Sequence, residues 1–227
     1  MVLKVILVLL MAYLIGSIPF GLLVVKLFSG KDIRTIESGR TGGTNAMRAA
    51  GYPSGVFTMI FDALKGTLAI WLVGVITQMS APWLYWVQIA AGILAIIGHN
   101  YSVFLIEKVD GKITRFRGGA GGATTLGGAI GLWPTSLAIT LPAALLVFLF
   151  IGYASVTTMS IAFVTTMVFL YRAIIGVSPW AYFIFGVIAE ILLVIALKPN
   201  IQRLKEGKER LVGVRAWLKK KIETPAG

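Results

Sequence analysis

Twelve consecutive residues, ESGRTGGTNAMR from Glu37 to Arg48, hold three glycines (Gly39, Gly42, Gly43), three hydroxyls (Ser38, Thr41, Thr44), Asn45 and two arginines, Arg40 and Arg48. Glycines let backbone amides approach a ligand closely, the hydroxyls and Asn45 offer hydrogen bonds, and the guanidiniums supply charge. Together they form a recipe for holding a phosphate. The start of a following helix would add its own attraction for an anion. No Gly-Lys-Ser/Thr follows at the spacing of a Walker A loop. The same composition also suits an ordinary polar turn between helices, and on residue types alone the two readings are balanced.

A second run, FRGGAGGATTLG from Phe116 to Gly127, shifts that balance: its glycine-rich part begins with Gly118 and Gly119 and is preceded by Arg115 and Arg117. Two such loops on one face could hold two phosphates, or one phosphate and one carbonyl. The single histidine, His99, lies shortly before the second loop. With an ordinary pKa of about 6.5 it could serve as base or hydrogen-bond donor. The plainer alternative is an interfacial imidazole bonded to a backbone carbonyl.

The elements that must position these loops are membrane spans. Of the 227 residues, 57% are hydrophobic and 13% charged, and the mean hydropathy of +0.87 lies outside the range of soluble domains. There is no cysteine, which excludes disulfides and thiolate metal sites, and one histidine excludes a histidine-cluster metal site. The apolar start lacks a small-residue cleavage pattern and reads as a retained helix. A crossing helix needs roughly 20 residues. Seven spans follow: Val5 to Phe28, Ser54 to Thr77, Pro82 to Ile106, Ala120 to Leu137, Ala138 to Tyr153, Ser155 to Ile175 and Trp180 to Leu197. The expected fold is therefore an all-α polytopic integral membrane protein, a single membrane domain over 1–227. The fourth span, rich in Gly and Thr, invites a short or broken helix.

Charge placement orients the spans. Lys31, Arg34, Arg40 and Arg48 follow the first, Lys108, Lys112, Arg115 and Arg117 follow the third, and nine basic residues lie between Lys198 and Lys221. The turns at QMSAP, WPTS and GVSP carry none. The positive-inside rule then puts the N-terminus outside and the C-terminus in the cytoplasm, with an odd number of spans. The net charge of +12 becomes a property of the inner face and its anionic lipids. Nucleic acid is not an expected partner, because the basic residues are divided among short loops. Regions 29–53 and 99–119 carry the motifs, and the basic tail 198–227 is expected to start as an amphipathic interfacial helix.

These segments, in this order, resemble the bacterial acyl-phosphate-dependent glycerol-3-phosphate acyltransferases. GSIPFG (Gly16–Gly21), KDIRTIESGRTGGTNAMRAAG, DALKG (Asp62–Gly66), GHNYSVF with His99, FRGGAGGATTLG and NIQRLKEGKE each resemble a family motif, and together they cover most of the chain. The resemblance implies transfer of a fatty acyl group from acyl phosphate to the 1-hydroxyl of glycerol 3-phosphate, giving lysophosphatidic acid, at the cytoplasmic side of a bacterial cell membrane. It implies catalytic roles for His99 and Ser38. It also implies phosphate binding by Arg48, Thr44, Asn45, Gly42, Gly43, Gly118, Gly119, Asn200 and Arg203, with Ser155 and Glu209 as further candidates; by charge and position, Arg40, Arg117 and Lys112 join the phosphate-binding candidates. No metal, cofactor or acyl-enzyme nucleophile is expected, since acyl phosphate is already activated and positioning with oxyanion stabilisation can do much of the work.

Departures from the family pattern accompany the resemblance. Ala120 stands where the family's Gly-Gly-Lys-Gly has lysine, Arg40 where it has asparagine, Glu37 where it has glycine, and EKVDGKIT is inserted between His99 and Gly118. Tyr101 and Ser102 replace Phe and Pro. Either Arg40, Arg117 or Lys112 supplies the missing charge, or the chain is a paralogue with weak activity or another acceptor. A small transporter or lipid-binding protein is the rival class. Asp62 and Lys65, three apart on a helix, read as an intramembrane ion pair, and Arg172 is a candidate partner for Glu190.

Overall fold

The computed structural model describes residues 1–110 and 112–223, so Gly111 and the last four residues of the tail lie outside the described residues. The first helix is not continuous. Helix α1 (Val2–Ser17) ends at Ile18, and α2 (Phe20–Ser29) restarts after Pro19, whose ring removes a backbone donor. The break frees the Ile18 carbonyl inside the apolar layer, where Lys65 Nζ donates to it at 2.9 Å.

A polar loop with a short helix, α3 (Gly43–Ala50), leads to α4 (Tyr52–Thr77), which starts with Pro53 in its first turn. Helix α5 (Trp83–Asn100) returns, and a two-stranded antiparallel hairpin, β1 (Ile106–Val109) with β2 (Lys112–Phe116), follows it. The hairpin occupies the EKVDGKIT insertion and is the one β-sheet among the described residues of an otherwise mostly helical chain. Then come α6 (Gly122–Leu132), α7 (Leu137–Leu146) with Pro142 inside it and a π-turn at Val147–Ile151, α8 (Ala154–Ile174), α9 (Trp180–Lys205) and α10 (Gly213–Glu223).

Six segments among the described residues have the length and apolarity to cross a bilayer: Val2–Ser29, Tyr52–Thr77, Trp83–Leu105, Pro134–Ile151, Ala154–Ile174 and Trp180–Lys205. The expected fourth span is instead α6, of 11 residues, about 16 Å long, stopped by Trp133 and Pro134. It is sheltered by protein: Gly122 packs on Thr158 near the start of α8, and Trp133 stacks on the Arg172 guanidinium near its end. Helices α6 and α8 thus run in the same direction, and α6 traverses the bundle without facing lipid along its length. Its contact with α4 is close because both sides lack side chains. A methyl group on Gly66 would overlap the Thr124 carbonyl, one on Gly127 would overlap Ala63, and Thr67 Oγ1 donates to the Gly127 carbonyl at 2.8 Å.

The largest core cluster forms where α4, α5, α6, α8 and α9 meet, around Ile70, Ile96, Phe169, Phe185 and Leu193. Two expectations change. The segment from Lys198 does not begin a separate interfacial helix but continues α9 to Lys205 through Pro199; the surface helix is α10. Arg172 does not pair with Glu190. Its guanidinium lies on Trp133 and donates to the Val177 carbonyl, while Glu190 Oε2 has no hydrogen-bond partner among the described residues.

Candidate functional site

Loop one is shaped by its own side chains. Asp32 caps a 3₁₀ turn (Ile33–Thr35) by accepting from the Arg34 backbone N–H, and its carboxylate pairs with the Arg34 guanidinium at 2.7 Å. That hydrogen-bonded pairing outweighs burial and lowers the Asp32 pKa below its ordinary value. The Asn45 amide donates to the carbonyls of Ile36 (3.0 Å), Arg40 (2.9 Å) and Ile33 (3.3 Å). Its donors are therefore committed to the loop, and Oδ1 is the atom left without a partner among the described residues.

The neighbouring glycines divide their roles. A methyl on Gly43 would overlap the Met59 side chain and press on the Gly55 carbonyl, so this glycine lets α3 lie against α4. Gly42 caps α3 with open space around it, and Thr44 follows half-buried in the first turn. Ser38 is exposed, its hydroxyl accepting from the Arg40 N–H at 3.4 Å.

Loop two is folded back over the end of α5. Gly119 N–H donates to the His99 carbonyl at 2.9 Å, and Ser102 N–H to the Arg117 carbonyl at 3.0 Å. A methyl on Gly118 would overlap the His99 carbonyl, and one on Gly119 would overlap His99 Nε2. These two glycines are thus required by the histidine itself. The two loops touch where Thr41 N–H donates to the Gly118 carbonyl at 3.4 Å.

Beneath them lies a cluster that sequence reading only half resolved. Asp62 Oδ1 is 2.8 Å from Lys65 Nζ and 3.4 Å from His99 Nδ1, with all three side chains at most 4% exposed. The ion pair was legible from the three-residue spacing; the carboxylate's approach to His99 was not, because it depends on how deep α5 ends. Asp62 is ten residues into α4, about 15 Å from its start, so His99 is recessed well below the level of loop one.

The tail closes the site. Glu209 accepts from Asn200 Nδ2 (2.9 Å), Ser155 Oγ (3.3 Å) and Arg203 Nε (3.1 Å). Its position is fixed because Val212 N–H donates to the Gly152 carbonyl at 2.8 Å and Arg210 pairs with Glu37 of loop one. Arg40 reaches inward to donate through Nη2 to the Ala196 carbonyl of α9. Burial, then Arg203 and Arg115, push the Arg40 pKa below the ordinary arginine value. Arg48 is lowered by burial and by Arg203, against the pull of Glu209.

The structure therefore gathers His99, Gly118, Gly119, Arg40, Arg48, Arg203, Asn200, Ser155 and Glu209 at one end of the bundle. It does not gather Lys112, which is exposed on β2, and it ties Arg117 elsewhere, to Glu107 at 2.5 Å and to the Arg34 carbonyl at 3.0 Å. Three arginines beside a glycine-backed, recessed imidazole suit substrates that join phosphate to hydrocarbon.

Comparison with known proteins agrees with this chemistry. Residues 6–207 match the family model described as glycerol-3-phosphate acyltransferase. The chain is 37% identical over 210 residues to glycerol-3-phosphate acyltransferase 2 of Moorella thermoacetica, covering 92% of this chain and 98% of the relative. It is also 37% identical over 211 residues to a glycerol-3-phosphate acyltransferase of Thermus thermophilus, covering 92% and 95%. Two solved structures of PlsY (YgiH), an integral membrane glycerol 3-phosphate acyltransferase, share the fold. The glycerol 3-phosphate form has a TM-score of 0.77 at 29% identity, covering 94% of this chain and 98% of that one. The lysophosphatidic acid form has a TM-score of 0.75 at 28% identity, covering 95% and 98%.

Proposed function

We propose that this chain, which belongs to the glycerol-3-phosphate acyltransferase family, moves a fatty acyl group from acyl phosphate to the 1-hydroxyl of glycerol 3-phosphate at the cytoplasmic face of a bacterial membrane. The observation that carries the reading is the convergence of Arg40, Arg48 and Arg203 around Glu209, beside the recessed His99 and the Gly118–Gly119 turn. The acceptor's 1-hydroxyl oxygen attacks the acyl carbonyl carbon, an ester bond forms, and the bond to the phosphate oxygen breaks. The hydroxyl proton leaves with the departing phosphate, directly or through His99, so that the products are lysophosphatidic acid and hydrogen phosphate.

In this reading Asp62 faces Nδ1 and turns the other imidazole nitrogen toward the Gly119 backbone and the reacting centre. Glu209 holds Arg203 and Asn200 for the acceptor's phosphate, and Arg48 adds charge at the watery rim. Ser38, exposed at that rim, is placed to meet polar parts of the acceptor. The acyl chain remains in hydrocarbon beside the bundle. All basic segments at this end then face the cytoplasm and its anionic lipids, as the positive-inside rule asks.

The test is direct. Purified protein in nanodiscs, given acyl phosphate and glycerol 3-phosphate, should yield lysophosphatidic acid by mass spectrometry, and His99→Ala should abolish most of it. Product from acyl phosphate that survives His99→Ala and Arg48→Ala undiminished would remove these residues from the site.

A further inference from the structure

The three arginines at this end do not share the same circumstances. Arg203 has a carboxylate, Glu209, at 3.1 Å. Arg48 is exposed to water on the last turn of α3. Arg40 has neither: it is half-buried, its Nη2 is used on the Ala196 carbonyl, and its Nη1 is buried with no hydrogen-bond partner among the described residues. Arg203 and Arg115 act on it as like charges, outweighing the pull of the more distant Glu209, with which it makes no direct contact. A buried guanidinium pressed by other cations, with an unused N–H, is a group shaped to meet an anion.

Its depth says which anion. Ala196 precedes Arg203 by seven residues on α9, about 10 Å nearer the middle of the bundle. Arg40 also lies within electrostatic reach of the recessed His99, and its neighbour Thr41 touches the Gly118 carbonyl of loop two. A phosphate joined to a fatty chain has to lie deep enough for its first methylenes to enter hydrocarbon, whereas a water-soluble phosphate can stop at the rim. The other two candidates for the charge missing at Ala120 are otherwise disposed, Arg117 in its pair with Glu107 and Lys112 out on the exposed hairpin.

We propose that Arg40 is the cation that binds the phosphate of the acyl phosphate donor, leaving Arg48 and Arg203 to the phosphate of the soluble acceptor. The assignment rests on the acyltransferase reading above, but it has its own readout. Arg40→Gln keeps a polar amide on a shorter side chain and removes the charge; Arg40→Lys keeps the charge; Arg40→Gln with Ala120→Lys returns a charge from the opposite loop.

Binding of a hydrolysis-resistant acyl phosphonate by isothermal titration to the full chain in nanodiscs, alongside steady-state kinetics, decides the matter. Arg40→Gln is expected to weaken phosphonate binding and raise KM for acyl phosphate by about tenfold or more, with KM for glycerol 3-phosphate nearly unchanged. Arg40→Lys, and the double variant with Ala120→Lys, are expected to recover part of the loss. Unaltered phosphonate binding in Arg40→Gln, a rise in KM confined to glycerol 3-phosphate, or no binding of the phosphonate by the parent chain would each overturn the assignment. Arg40-dependent binding in a parent chain that forms no lysophosphatidic acid would leave the assignment standing and remove the transfer reading instead.

Discussion

Asp62 is the most informative single residue to remove. Its carboxylate faces both Lys65 Nζ (2.8 Å) and His99 Nδ1 (3.4 Å), and none of the three side chains meets solvent to any extent. Asp62→Ala leaves the Lys65 ammonium buried with only the Ile18 carbonyl as acceptor. Breaking a buried pair from one side costs about 3–5 kcal/mol, and at roughly 2–4 °C per kcal/mol the melting temperature in detergent should fall by about 6–20 °C. Adding Lys65→Met removes the stranded charge with a side chain of similar volume and should restore most of that fall. It should not restore activity, because His99 has still lost the carboxylate facing Nδ1. The double variant is therefore expected to melt near the parent yet turn over about 10²-fold more slowly, within the range that a misdirected acid–base group can cost. A thermal-shift assay and the lysophosphatidic acid assay on the same preparations separate the two effects. Full recovery of turnover in the double variant would refute the link between Asp62 and His99.

Three other perturbations test neighbouring contacts. Gly119→Ala places a methyl group into His99 Nε2 and should cost about 1–3 kcal/mol of overpacking, with kcat falling more than either KM. Glu209→Gln keeps the shape but removes the charge that holds Arg203 and Asn200; losing charge-assisted bonds worth about 1.5–3 kcal/mol should raise KM for glycerol 3-phosphate by roughly 10- to 100-fold. Thr67→Val deletes the 2.8 Å bond to the Gly127 carbonyl between α4 and α6, which should lower the melting temperature through a loss of about 1 kcal/mol while both KM values hold, marking α6 as scaffold.

Sequence patterning revealed the spans because hydrocarbon demands long apolar runs. It misjudged the places where protein replaces lipid as the surrounding. Helix α6 is short because Gly66 and Gly127 let it press against α4, and a helix covered by neighbours need not match the bilayer's thickness. The gap after Ser17 was hidden because Pro19 lies inside a uniformly apolar run, and its satisfaction comes from Lys65, 47 residues away. At the site, residue types pointed to Arg40 and Arg48 and the family resemblance to Arg203 and Glu209, but neither can say which donors are already spent. Asn45 is turned to three loop carbonyls and Arg117 to Glu107, and both facts depend on how each loop folds back on itself.

The glycines show why composition overstated one feature of the site and understated another. Read as a phosphate cradle, GRTGG and GGAGG would offer bare backbone to a ligand. In the structure Gly43 is occupied by the α3–α4 contact, and Gly118 and Gly119 by the His99 backbone and ring. Of these four loop glycines, Gly42 alone opens onto free space while heading a helix, and α3 is too short to make a strong anion site of that end. In the proposed function the burden of holding two phosphates therefore falls on side-chain cations, and these are staggered along α9, with Arg40 at Ala196 and Arg203 two turns farther out. That stagger matches the difference between a donor anchored in hydrocarbon and an acceptor that arrives from water. In the function proposed above the acyl carbonyl lies beside the buried His99, where low dielectric strengthens every interaction with developing charge.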